Sequence, residues 1–96
     1  MKPSIALASH RDALRALSAK HAVSNPRVFG SVVRGEDGEL SDLDLLVDHT
    51  PATTLLRLAA LQLEAERLLG VPVDVRTPYD LPDRIRERVL REALPI

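Results

Sequence analysis

Gly30-Ser31-Val32-Val33-Arg34-Gly35-Glu36-Asp37-Gly38-Glu39-Leu40-Ser41-Asp42-Leu43-Asp44-Leu45-Leu46-Val47-Asp48 is the stretch that decides how this chain reads. It opens on a glycine-serine turn and closes on two aspartates, one residue apart, running into apolar residues. Alternation along a strand puts Asp42 and Asp44 on one face and Leu43, Leu45 and Val47 on the other, toward a core. Adjacent carboxylates repel, which pushes one pKa up. A hard divalent cation such as Mg²⁺ relieves that repulsion and takes carboxylate and phosphate oxygens as ligands. Gly30 lets backbone approach a bulky anion without a Cβ, and the amides of the following turn suit a phosphate. On its own a Gly-Ser pair is a turn and nothing more. Ahead of an aspartate pair it points to metal-assisted phosphoryl or nucleotidyl transfer.

A third acidic residue strengthens this. Val71-Pro72-Val73-Asp74-Val75-Arg76 alternates as a strand, with Val71, Val73 and Val75 on one face and Asp74 on the other. A carboxylate in such a strand needs a partner, because burying an unpaired charge is costly. A cation shared with Asp42 and Asp44 is one partner; Arg76, on an exposed face, is the other. Arg34 has a planar fork that suits either a phosphate or a carboxylate. Glu36, Asp37, Glu39 and Asp48 read as solvated loop charges. His10, His21 and His49 lack metal-ligand spacing and read as surface or interface residues. Tyr79 sits in a turn, to pack or to accept a nucleotide.

Around the central stretch, the pattern predicts a helix capped by Ser9 and ending near His21, then a turn at Asn25-Pro26. A short strand Arg27–Phe29 leads into a helical turn that stops at Gly35. A strand over 42–48 follows. The next helix is capped by Thr53 or Thr54, carries Leu55 through Leu69, and ends at Gly70. The third strand lies at a sheet edge or margin, because Pro72 lacks a ladder donor. The last helix, about Pro82 to Leu94, turns Ile85, Val89, Leu90 and Ala93 inward. This order predicts an α/β chain: a small mixed sheet of about three strands flanked by helices, in one domain over residues 1–96.

The bulk properties exclude much else. There is no cysteine, so disulfides and thiolate chemistry are out. The formal net charge of −1 gives no overall pull toward nucleic acid. Arg84, Arg86, Arg88 and Arg91 are spread around their helix among Asp83, Glu87 and Glu92, which reads as a solvated face rather than a nucleic-acid surface. No apolar run approaches a membrane span, and a cytoplasmic location is expected.

Gly30-Ser31, ten residues, then Asp42-Leu43-Asp44 resembles the signature of the DNA polymerase β-like nucleotidyltransferases. Val32-Val33-Arg34-Gly35-Glu36 and Ser41-Asp42-Leu43-Asp44-Leu45-Leu46-Val47 are similar to the minimal nucleotidyltransferase (MNT) group. Val33 replaces the small residue often found there, and Asp74 falls where the family's third acidic residue is expected. The resemblance implies the polymerase β-like fold, with Asp42 and Asp44 binding two Mg²⁺ ions and Asp74 joining one of them and helping deprotonate the acceptor. It implies that Gly30 and Ser31 hold the β- and γ-phosphates of ATP; Arg34, from its own chemistry, is the further candidate for nucleotide binding. It further implies AMP transfer to a hydroxyl, commonly a Tyr, of a partner HEPN-family ribonuclease toxin, in a hetero-oligomer where this chain is the antitoxin. The competing expectation is an antitoxin that neutralises its partner by contact alone, without catalysis.

Overall fold

The computed structural model describes residues 1–96. Helix α1 spans Pro3–Lys20, strand β1 Val23–Phe29, the short helix α2 Ser31–Arg34 and strand β2 Leu43–His49. Helix α3 spans Leu55–Leu69, strand β3 Val73–Arg76, helix α4 Asp83–Glu92 and strand β4 Leu94–Pro95, with a single 3-10 turn at Pro78–Asp80. The sheet is mixed and has four strands in the order β3-β2-β1-β4. β1 pairs antiparallel with β2 and β4, while β2 and β3 run parallel. Parallel neighbours need a crossover, and α3 supplies it.

The β2 alternation holds. Leu43, Leu45 and Val47 are fully buried in a core that α1 and α3 close with Ala6, Leu7, Leu14, Leu61, Ala65 and Leu69. Leu46 is also fully buried, on the opposite face, where it joins Phe29, Leu81 and Val89. The sheet is therefore covered on both faces over part of its width, and α4 forms the third layer. Thr54 caps α3 by accepting from the Arg57 amide, and Gly70 ends it at φ 72°. Gly35 ends α2 at φ 71°, in the same left-handed region.

Several boundaries differ from expectation. α1 starts at Pro3, whose fixed φ suits the first helical turn. Ser9 is no cap: its hydroxyl donates to the Ile5 carbonyl, and the helix kinks at His10 (φ −130°). β1 is longer than Arg27–Phe29 because Asn25-Pro26 forms a bulge within it, marked by Asn25 at φ 50° and a register shift between Ser24 and Arg27. The sheet gains β4 where the last helix was expected to continue, since Ala93 leaves the helical region at ψ 138° and Leu94 pairs with Val28. Leu90 points outward, 43% exposed, while Val89 is buried. On α3 only Leu61, Ala65 and Leu69 are fully inward, with Leu55, Leu56 and Leu63 exposed. No helix is long and apolar enough to cross a membrane.

The edge strand β3 is closed by side chains. Glu66 accepts from the Val73 amide at 3.0 Å and Gln62 from the Val75 amide at 3.2 Å, both reaching down from α3. These are the two amides that a further strand would otherwise take.

Candidate active site

Strand register assembles the site. Asp44 is the partner of Asp74 across the parallel β2–β3 pair and of Phe29 across the antiparallel β1–β2 pair. Register partners share a face, so Asp44 and Asp74 stand side by side, away from the α1–α3 core. Asp42 lies just ahead of β2, exposed at the strand's entrance rather than within it. Leu43, the first residue of β2, donates its amide to the Pro72 carbonyl, which holds the start of β2 against the approach to β3.

Gly30 closes the site from the β1 side. It has φ 77° and ψ −146° and caps α2, accepting at its carbonyl from the Val33 and Arg34 amides. A Cβ at position 30 would lie 3.3 Å from Asp44 Cγ and collide with Oδ2. The glycine thus serves two ends: a backbone region closed to other residues, and room for a carboxylate against the main chain. Ser31 begins α2 and is partly exposed beside it.

The electrostatics centre on Asp44. Its carboxyl is pushed up to about 6, first by burial and then by the negative charges of Asp74 and Asp42. Arg76 and Arg34 pull it the other way. A carboxylate with this environment is stabilised by any cation that reaches it, and the donor set of three aspartates suits a hard divalent ion. The three do not, however, converge as one chelating group: no cluster of three acidic or histidine side chains is arranged around a single point. Asp74 Oδ2 accepts from Arg76 Nε at 2.9 Å. Of the two partners foreseen for Asp74, Arg76 is bound to it, and Asp44 stands beside it.

Arg34 is held by carboxylates. Its Nε donates to Glu36 at 2.6 Å and its NH1 to Glu92 at 2.7 Å, which ties α2 to the end of α4. These hydrogen bonds raise an already high guanidinium pKa.

Charges expected to be solvated also have partners. Asp37 accepts from the Ser4 amide at 2.9 Å, which lowers its pKa, and Asp48 binds Asn25 and Arg27. Glu39 pairs with the terminal amine, which likewise lowers its pKa. Of the histidines, His21 bonds to Glu64 and joins α1 to α3, while His49 packs at a tilt against the exposed Tyr79 with ring centroids 5.8 Å apart. Sequence reasoning missed Glu92 as the anchor of Arg34; the two are 58 positions apart, and no local spacing links them.

The family model for the nucleotidyltransferase domain matches residues 9–96. The chain belongs to the nucleotidyltransferase domain family. It is 40% identical over 88 residues to the protein adenylyltransferase MntA of Thermococcus cleftensis, a match spanning 92% of this chain and 86% of that protein. A solved structure of a candidate minimal nucleotidyltransferase superposes at a TM-score of 0.87 with 49% identity, over 100% of this chain and 97% of the other. A crystal structure of a toxin–antitoxin with AMP-PNP superposes at 0.74 with 16% identity, over 88% of this chain and 69% of that one, a likeness of fold. The nucleotidyltransferase is therefore an enzyme of the minimal type, built on a mixed sheet with helices on both faces.

Proposed function

We propose that this nucleotidyltransferase transfers AMP from ATP to a hydroxyl, a Tyr by preference, of a partner HEPN-family toxin, and so acts as its antitoxin in the cytoplasm. The observation that carries the reading is the in-register pairing of Asp44 with Asp74 beside the Gly30 turn. Support for a protein acceptor comes from the relative named protein adenylyltransferase, and for ATP and a toxin partner from the fold neighbour crystallised as a toxin–antitoxin with AMP-PNP.

In this reading Asp42, Asp44 and Asp74 hold two Mg²⁺ ions, whose chemistry is to stabilise charge on the attacking and leaving oxygens. The chain's own residues do the rest. Gly30 and Ser31 cradle the β- and γ-phosphates against the start of α2, and Arg34 fixes that turn. Asp74 accepts the proton of the attacking hydroxyl. The new oxygen–phosphorus bond forms at the α-phosphorus as the bond to the β-phosphate bridge breaks, and pyrophosphate leaves. Most of the rate enhancement is then positioning and preorganised charge.

The test is transfer of label from α-labelled ATP to the cognate toxin in the presence of Mg²⁺. Label on the toxin with wild type, and none with Asp42→Ala or Asp44→Asn, is the expected result. A folded wild type that labels no cognate partner overturns the reading. Neutralisation that survives Asp42→Ala indicates an antitoxin acting by contact alone.

A further inference from the structure

We infer that Arg76 is a built-in counter-ion that pairs with Asp74 and gives it up when nucleotide and divalent cation bind together, coupling the two binding events. The inference rests on the reading of Asp42, Asp44 and Asp74 as a cation site.

Asp74 and Arg76 are two apart on β3, so both side chains project from the face that carries Asp44. The Arg76 guanidinium is bound to Asp74 Oδ2 at 2.9 Å. The carboxylates form no three-membered chelating group, and one of the three, Asp74, is held by a guanidinium. A cation entering alone must displace Arg76 from Asp74 and leave that guanidinium without its partner. A nucleotide changes the balance, because its phosphates offer the planar fork an oxyanion in exchange. The side chains of Arg76 and Asp74 are 41% and 35% exposed, so the pair is open to ligand and able to separate.

Arg76 is a positioning residue in this scheme, since it acts through Asp74. Reciprocity then requires that nucleotide tighten cation binding and cation tighten nucleotide binding by the same factor. Removing the guanidinium frees Asp74 permanently, so a cation binds more tightly on its own and gains less from nucleotide.

The experiment is Mn²⁺ binding to the full chain, followed by the electron paramagnetic resonance signal of free Mn²⁺, with and without AMP-PNP, after subtracting the Mn²⁺–AMP-PNP complex formed in solution. Arg76→Gln should bind Mn²⁺ alone about two- to fivefold more tightly than wild type, the scale of one lost partly exposed ion pair. The enhancement by AMP-PNP should shrink by a similar factor. Arg76→Lys keeps the charge without the fork and should fall between the two, which gives a second reading should the glutamine variant fold poorly. Asp44→Asn should lose the Mn²⁺ site. Unchanged or weaker Mn²⁺ binding by Arg76→Gln, with Asp44→Asn abolishing it, overturns the coupling role alone. Mn²⁺ binding that is indifferent to Asp44→Asn overturns the cation-site reading and the coupling role with it.

Discussion

Gly30 leaves the space that Asp44 fills: a Cβ at position 30 would collide with the Asp44 carboxylate, and the glycine's φ of 77° is closed to other residues at little cost. The phosphate-side turn and the acidic strand are thus one construction, and neither can be altered without moving the other. Gly30→Ala carries both penalties. The strained backbone alone costs about 1–3 kcal/mol, and relief of the collision displaces Asp44 or the start of α2. Transfer activity should fall by a factor of about 100 or more, since small misplacements at a reacting centre have effects of that order, together with a lower melting temperature. Gly38→Ala is the control, because nothing lies within 4 Å of a Cβ there. Equal activity in the two variants would contradict the relationship.

The raised pKa of Asp44 makes a prediction for the metal-free chain. Between about 4 and 6 the folded protein holds a proton on Asp44 that the unfolded chain has released. Folding is therefore favoured by this group at low pH, and the contribution is lost as pH rises through about 6. Asp44→Asn removes the buried charge and should stabilise the chelator-treated protein above pH 6, by about 1 kcal/mol once solvent screening is allowed for. The gain should vanish near pH 4. Thermal melts across pH 4–8 check this. Millimolar Mn²⁺ at pH 7.5 should raise the melting temperature of wild type and leave Asp44→Asn unmoved.

How far the site was legible follows from the range of the signals. Asp44 and Asp74 were placed by two-residue alternation within their own strands, and that alternation survives folding because Leu43, Leu45, Val47 and Val73 are all buried on the other face. Asp42 and Asp44 were expected as equal members of one strand, yet β2 begins at Leu43 and leaves Asp42 exposed. β4 escaped notice because it is two residues long and contains a proline, too short for any periodicity. Pro3, a first-turn proline, marks the start of α1 more directly than Ser9 does. Leu46 breaks the alternation within the apolar run Leu45-Leu46-Val47, but nothing local shows what covers it, because α4 comes from more than 35 residues later. Contacts such as Arg34–Glu92 and Glu66–Val73 depend on how elements pack, which composition and spacing do not encode.

The capped edge of β3 leads to a stability prediction separate from catalysis. Glu66 and Gln62 occupy the Val73 and Val75 amides from α3, two side chains doing what a fifth strand would do. Replacing both by Ala leaves those amides to water or to another chain. Each lost hydrogen bond should cost about 1 kcal/mol, and the opened edge should favour pairing between molecules. Light scattering on Gln62→Ala/Glu66→Ala should show a larger, concentration-dependent mass relative to wild type. An unchanged mass with an unchanged melting temperature would mean that these bonds do not protect the edge.

Arg34 poses the sharpest choice, because its fork suits either phosphate or carboxylate and the structure gives it two carboxylates. With Glu36 on Nε and Glu92 on NH1, the guanidinium is partly neutralised and joins the phosphate-side turn to α4. If its role is to hold that turn, Arg34→Ala and Glu92→Ala should both weaken nucleotide binding, by about two- to fivefold on the scale of a partly exposed pair. The double variant should then be no worse than Arg34→Ala alone, because the Arg34–Glu92 pair is already lost in that variant. If Arg34 instead grips a phosphate itself, Glu92→Ala releases it and should tighten nucleotide, while Arg34→Ala weakens it well beyond that range. AMP-PNP titration of the three variants separates the two, since the sign of the Glu92→Ala effect differs. The geometry favours the first outcome: Glu92 is only 14% exposed, so its carboxylate is fixed, and it keeps Arg34 directed at α4.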